Sequence, residues 1–445
     1  MSRAAEPWRA VVVGGGLAGI TAALRLADAG AEVVLAEGRP RLGGLAFSFQ
    51  RETAVGPLWV DNGQHVFLRC CTAYRGLLQR LGVTDQVELQ PRLRVPVRDV
   101  ATGRDGVIGR DRLPVPLHLT RSLVSYPHLS LAERAATGRA ALALRGLRLD
   151  DPALDDRSFA DWLAEHGQSP RAVEALWDLV GVATLNATAE QASLALAAMV
   201  FKTGLLSDPG ASDIGFAKVP LGRLHDAAAR AALERAGVRV LLRTRATSVV
   251  PEAGGYRVEL TGERLDGGAE SVTAGAVVLA VPQEAAAGLL PAGALDEPER
   301  LAKLGHAPIL NVHVVYDRKV LDEPFLAGLG TPVQWVFDRT AHSGLRTGGQ
   351  YLALSQSAAQ DEIDLPVAEL RRRYLPELER LLPRAREAVV AEFFVTRERT
   401  ATFAPSPGTA ALRPGPETAL PGLYLAGAWT ATGWPATMEG AVRSG

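Results

Sequence analysis

Cysteine is nearly absent from this 445-residue chain: there are two, Cys70 and Cys71, and they are adjacent. Neighbouring residues are poor disulfide partners by ordinary geometry. Two thiols without a CxxC pattern cannot frame a metal site either. The sequence therefore predicts a reducing, cytoplasmic setting, with both thiols serving as small buried hydrophobes. Lysine is scarce, occurring only at positions 202, 218, 303 and 319. Lys+Arg (48) and Asp+Glu (49) nearly cancel, leaving a formal net charge of −1. That balance lacks the basic excess of a dedicated nucleic-acid binder. Long hydrophobic runs are missing as well. The best one, Ala192 to Phe201, contains Ser193 and falls well short of the roughly 18 residues a membrane span needs. Residues 1–8 lack the basic-then-apolar order of a signal peptide.

What is present begins at Arg9. Val11 to Val13 reads as a buried parallel strand, followed by Gly14, Gly16 and Gly19 at GxGxxG spacing. Thr21 to Ala29 reads as a helix closed by Gly30, and Glu32 to Ala36 as a second strand ending at Glu37. Glu37 stands 37 − 19 = 18 positions after the last glycine. In such a unit Gly14 allows the tight turn, Gly16 lets backbone approach a pyrophosphate, and Gly19 lets helix and strand pack closely. The helix start presents unpaired N–H groups to the phosphates, and the acid at the strand end accepts from a ribose hydroxyl. Strand before, helix after and acid at the right distance make a dinucleotide-site reading strong. Arg41-Leu-Gly-Gly44 adds a second glycine pair, so two backbone-rich loops can flank one extended pyrophosphate. That feature favours a flavin dinucleotide over a nicotinamide one. Asp61-Asn-Gly-Gln-His65 follows as a polar turn between apolar runs, with Asn-Gly turn chemistry.

Farther along, Leu221 to Ala236 reads as an amphipathic helix. Val238 to Leu242, Ala246 to Val250, Tyr256 to Leu260 and Ala276 to Val281 read as strands. Gly422 to Trp429 reads as a strand entering a glycine turn, and Met438 opens a final helix. Nucleotide-fold segments thus lie at both ends and in the middle. The predicted organisation is a discontinuous dinucleotide domain (1–90, 211–282, 416–445) interleaved with a second domain (91–210, 283–415).

Together these residues resemble the amine oxidase/phytoene desaturase superfamily of FAD enzymes, and within it the hydroxysqualene dehydroxylase family. The resemblance is carried by Asp61 to His65, Leu185-Asn186 with Ala192-Ser193, Ala211-Ser-Asp213, and the string from Thr430 to Gly445. It implies an α/β fold: a Rossmann-like FAD-binding domain of the amine oxidase/glutathione reductase type with an interleaved α+β substrate domain. It implies FAD held by Gly14, Gly16, Gly19, Glu37, Arg41, Gly43, Gly44, Val249, Gly427, Trp434 and Met438. It also implies an apolar isoprenoid substrate, hydroxysqualene, whose hydroxyl leaves as water when reduced FAD delivers a hydride. Such chemistry needs a proton donor, for which His65 is the first candidate, with Asp61 and Asn186 behind it. Trp429 and Trp434 are expected to face the flavin, where aromatic faces can steady a developing cation. The family's chain is expected to continue past Gly445.

Two departures stand out. Leu45 occupies a position where relatives carry Arg or Lys, and Ala428 one where they carry Asp or Glu. Hydrogen bonds to charged groups contribute about 1.5–3 kcal/mol each, so FAD retention is expected to be weaker than usual. Pro114 to Leu149 mixes apolar residues with Arg121, Arg134, Arg139, Arg145 and Arg148, a candidate peripheral contact with the inner face of the cytoplasmic membrane. Helical-wheel spacing places Arg134, Arg145 and Arg148 on one face. Competing readings are a carotenoid-type desaturase, an amine oxidase, or a non-catalytic relative like the Rab GDP dissociation inhibitors. With aromatics at 6% of the chain, the aromatic cage of an amine oxidase is disfavoured. Nothing in the sequence marks the electron donor.

Overall fold

The computed structural model describes residues 8–263 and 265–445. The signal-peptide reading of the N-terminus concerns residues 1–8, of which 1–7 lie outside the described residues.

Five short parallel strands form the first sheet, in the order Arg239–Leu242, Glu32–Glu37, Arg9–Val13, Ala276–Leu279 and Leu423–Leu425. The central strands are apolar on both faces, as a parallel sheet with both sides covered requires. Val11, Val13, Val34 and Ala36 look toward one core, and Val12, Val33 and Leu35 toward another shared with the helix Leu17–Asp28. That helix starts four residues earlier than its side-chain pattern indicates, because Gly16 serves as its N-cap. The three strands Thr244–Glu252, Gly255–Gly262 and Ala269–Ala274 form a separate antiparallel sheet rather than extending the parallel one.

A seven-stranded, mainly antiparallel sheet makes the other half. Its order is Val390–Thr402, Ala307–Tyr316, Gln350–Gln356, Trp335–Asp338, Phe325–Leu329, Arg94–Asp99 and Asp105–Gly109. Strand alternation divides its side chains. Leu310, Val312, Val314, Val336, Leu352 and Leu354 pack on the helix Val367–Leu381 through Leu370, Tyr374, Leu378 and Leu381. Asn311, His313, Trp335, Phe337 and Tyr351 point the opposite way, toward the dinucleotide half.

The Asp61–His65 turn does not close a hairpin. Leu58–Asp61 pairs with Ser48–Arg51, whereas Val66–Leu68 pairs with Ile214–Ala217, so the turn carries the chain between two sheets. Pro114–Leu149 is likewise not one helix but a short 3-10 turn, Thr120–Ser125, and then Leu131–Gly146. Ser130 and Glu133 form a reciprocal capping box at the start of the last. Among the described residues no helix is long and apolar enough to cross a membrane.

Candidate functional site

The first glycine loop is shaped by close approach. Gly14 has φ +107°, and a Cβ there would lie 2.3 Å from the Ala280 carbonyl oxygen. At Gly19 a Cβ would lie 1.8 Å from the Gly14 oxygen, so only glycine lets the helix sit this near the strand. No side chain caps the helix start at Gly16. Its first N–H groups are therefore open to an anion, backed by the helix dipole. The second loop stacks directly on the first: Gly43 N donates to Gly15 O (2.8 Å), and a Cβ on Gly44 would come 3.0 Å from the Gly16 Cα. Glu37 accepts from Gly15 N (2.7 Å) and Arg39 N (2.6 Å). Arg41 donates to Gly44 O (2.8 Å) and lies 3.3 Å over the Phe47 ring. Burial lowers its pKa from the ordinary guanidinium value, against the pull of Glu37. Val249 packs in the same core as Val34 and Ala36.

Behind the second loop stands a residue that sequence reasoning missed. His225 is fully buried; its Nδ1–H donates to Ala46 O (3.0 Å) and its Nε2 pairs with the Tyr74 hydroxyl (2.9 Å). Burial pushes its pKa down to about 4, so the ring is neutral and Nε2 accepts from Tyr74. Nothing local in the sequence distinguishes it from any helical histidine.

The C-terminal string folds over the opposite side. Gly427 N donates to Ser444 Oγ (2.8 Å), tying the strand end to the last helix. That helix begins at Met438, and Thr437 caps it by accepting from Gly440 N (3.1 Å). Trp434 is half-buried between the two main cores, with Arg443 4.9 Å over its ring. Trp429 departs from expectation. It is buried, and its indole N–H donates to Val281 O (2.9 Å), so its edge is committed to the core. Arg413, also unread in the sequence, lies 8% exposed beneath this loop. It donates to the carbonyls of Ala428 (3.2 Å), Trp429 (3.2 Å), Thr430 and Trp434 (2.8 Å). Burial pushes its pKa down to about 10, with the charge of Asp155 opposing.

The three residues proposed for proton transfer have different surroundings. Asn186 is fully occupied: its amide donates to Ala307 O and Thr402 Oγ1 (both 2.9 Å), and its oxygen accepts from Ala358 N (2.7 Å). It stitches a helix end to the large sheet. Asp61 pairs with Arg339 (2.7 Å) and accepts from Ser48 Oγ (2.6 Å) and Leu221 N (3.0 Å). In this structure both residues are thus engaged in hydrogen bonds that join distant parts of the chain. His65 has a free edge. Its Nδ1 faces the Gly63 carbonyl (3.0 Å), so that nitrogen carries the hydrogen and Nε2 stays open. Burial lowers the His65 pKa, against the Gly63 carbonyl and the Asp61 charge. Asn62 ties this turn to the second glycine loop by donating to Leu45 O (3.2 Å) and, through its backbone, to Phe47 O (2.9 Å).

An apolar wall lies on the inner face of the large sheet. Phe325 is centred 6.4 Å from Phe216, 6.1 Å from Trp335 and 6.0 Å from Phe337. Leu68, Leu119, Leu176, Val180 and Leu205 pack around these rings. Its members come from distant strands and helices, so no local pattern in the sequence marks them. No cluster of residues suited to a metal ion occurs among the described residues.

Two glycine loops, an uncapped helix start and a strand-end carboxylate define a dinucleotide-dependent α/β enzyme. The family model for flavin-containing amine oxidoreductases matches residues 17–445, and the chain belongs to that family. It is an FAD-dependent oxidoreductase, with the FAD-binding amine oxidase fold. The chain is 30% identical to a hydroxysqualene dehydroxylase of Rhodopseudomonas palustris, over 98% of this chain and 96% of the relative. It is 29% identical to one from Sinorhizobium fredii, over 98% and 95%. A solved oxidoreductase from Methanosarcina mazei superposes with TM-score 0.73 at 16% identity, covering 98% of each chain. The residues present fit FAD: at Gly16 a Cβ would meet nothing nearer than Gly44 Cα at 3.8 Å, leaving open space beside unpaired helical N–H groups.

Proposed function

We propose that this protein removes the hydroxyl of hydroxysqualene reductively, giving squalene and water. Gly14, Gly16, Gly19, Glu37, Arg41, Gly43 and Gly44 would hold the adenosine and diphosphate of FAD. Val249 would lie beside the adenine, and Gly427, Trp434 and Met438 near the flavin. Bound and reduced, FAD supplies the hydride that replaces the hydroxyl. His65 takes the proton side of the exchange: in its neutral form Nε2 can accept from the substrate hydroxyl, and when charged it can donate as the C–O bond breaks.

The observation that carries the substrate class is the wall of Phe216, Phe325, Trp335 and Phe337 ringed by leucines. Phe325 is buried, whereas Phe216, Trp335 and Phe337 are half-buried, and their accessible parts would give a hydrocarbon chain an apolar contact and ring faces that can steady a developing allylic cation. Such a substrate is nearly insoluble, which supports peripheral contact with a bilayer.

The test is direct. Purified protein is loaded with FAD, reduced anaerobically and supplied with hydroxysqualene, and the products are separated by gas chromatography. Squalene formation that falls at least about tenfold on Trp335→Ala supports the proposal. A bound, reducible flavin without squalene, but with turnover of a carotenoid precursor, overturns it in favour of a desaturase.

A further inference from the structure

Arg413 is a buried cation that pairs with no carboxylate among the described residues. Burying a charge is costly unless hydrogen bonds or an opposite charge compensate. Here the compensation comes from main-chain carbonyls: Ala428, Trp429, Thr430 and Trp434 all turn their oxygens toward one guanidinium. Phe403 covers its face at 4.8 Å. The nearest anion to influence it, Asp155, is spent elsewhere, accepting from Ser193 Oγ (2.5 Å) and Ala410 N (2.7 Å). Asp155 thereby anchors the segment just before Arg413.

The geometry has a consequence for the loop. In a peptide unit the C=O and N–H point in opposite directions. Drawing the Ala428 carbonyl inward onto Arg413 turns the Trp429 amide of the same peptide unit the other way, while the two amides after it find partners within the loop. Thr430 N returns to Gly427 O (3.1 Å) and Ala431 N to Pro414 O (2.8 Å). Among the described residues, the N–H groups of Ala428 and Trp429 find no acceptor. They stand immediately after Gly427, where the flavin is read to sit, and Ala428 brings no carboxylate.

We propose that Arg413 is a positioning residue for FAD, shaping residues 428–434 to present backbone donors to the cofactor and adding an unneutralised positive charge to that side of the site. This rests on the reading that Gly427 and the last helix receive FAD. The guanidinium fork and the charge are separable functions. Lysine keeps the charge but not the planar fork.

The experiment compares wild type, Arg413→Met and Arg413→Lys. It measures FAD affinity by fluorescence titration, the flavin midpoint potential by dye equilibration, and the fold by circular dichroism of the apoprotein. Arg413→Met is expected to weaken FAD binding at least about tenfold and to lower the midpoint potential, because the reduced form carries more negative charge. Arg413→Lys is expected to weaken binding while keeping the potential close to wild type. A folded Arg413→Met protein with wild-type affinity and potential overturns the proposal. If that variant does not fold, Arg413→Lys decides: wild-type affinity overturns the positioning role. Wild type that binds no FAD overturns the site reading itself, and this proposal with it.

Discussion

Histidine protonation is the residue-scale property with the clearest consequences. His65 has its pKa lowered by burial, so at neutral pH it is mainly uncharged. If it donates the proton to the departing hydroxyl, kcat/KM rises as pH falls through a value below 6.5, the ordinary histidine pKa. His65→Gln should flatten that limb and lower activity about 10²-fold or more, read from initial rates between pH 5 and 8. An unchanged profile would assign the proton to another group. His225 and His313 bear on stability instead. His313 is held between Tyr351 (2.7 Å) and Thr396 (3.1 Å), and burial pushes its pKa down to about 3. His225 sits at about 4. Unfolded, both would titrate near 6.5, so between that value and their folded pKa values the unfolded chain binds more protons. Their contribution is therefore fully present above pH 6.5 and is lost as pH falls toward about 4 for His225 and about 3 for His313. Melting temperature should drop steeply over that window, and His313→Gln should remove part of the slope.

The weak-retention expectation also belongs to single residues. Leu45 is 44% exposed, so Leu45→Arg costs no core packing and restores a cation next to the second glycine loop. FAD affinity should tighten about tenfold, measured by titration of apoprotein at low salt. No change would mean that position 45 does not reach the diphosphate.

Between elements, Asp213 is the joint beside the three-stranded sheet of Val66–Leu68, Ile214–Ala217 and Val87–Leu89. It is fully buried and accepts from Arg110 (2.6 and 2.7 Å), Arg69 (2.9 Å) and Leu93 N (2.8 Å). Burial works against its charge, but the hydrogen bonds from Arg110 and Arg69 outweigh that and hold its pKa below the usual range. Removing one partner of a buried pair leaves the others uncompensated. Asp213→Ala should destabilise by about 3–5 kcal/mol, read by urea unfolding. This is where sequence reading reached its limit. The Val11–Glu37 unit was legible because its glycines, strand and acid sit within thirty residues and each has a local geometric reason. Asp213 was visible only as part of a resemblance, since its arginine partners lie more than one hundred positions away. The surroundings of Asn186 and Asp61 were hidden for the same cause: a polar residue in a motif reveals its type, but its partners at Ala307, Thr402 and Arg339 are long-range. The aromatic wall and Arg413 were likewise assembled by folding, from strands and loops with no shared local signal.

At the scale of the whole molecule, exposed apolar side chains gather in one region. Leu113, Leu117, Val124, Leu131, Leu142 and Leu149 are between 41% and 78% exposed, all on residues 113–149. Exposed Arg112, Arg121, Arg139 and Arg145 lie among them. Arg134, expected on the same face, is used internally: it donates to Leu129 O (2.9 Å) and Val124 O (2.5 Å), bracing the corner between two helices. Exposed apolar and basic residues thus intermingle along these broken helices, a pattern that a single helical wheel does not display. The region also adjoins the wall, because His118 Nε2 donates to Leu205 O (2.9 Å) while Leu119 and Leu205 both pack against the aromatic cluster. A substrate leaving a bilayer at this surface would have a short apolar route inward. Anionic vesicles should therefore retain the protein in co-sedimentation, with binding weakened by salt because the arginines act through screened charge. Val124→Asp with Leu131→Asp should abolish retention, since both side chains are solvent-exposed and the change leaves the core intact. The same double variant should turn over detergent-dispersed substrate normally yet fail with substrate in vesicles. Equal activity on both would show that delivery does not pass through residues 113–149.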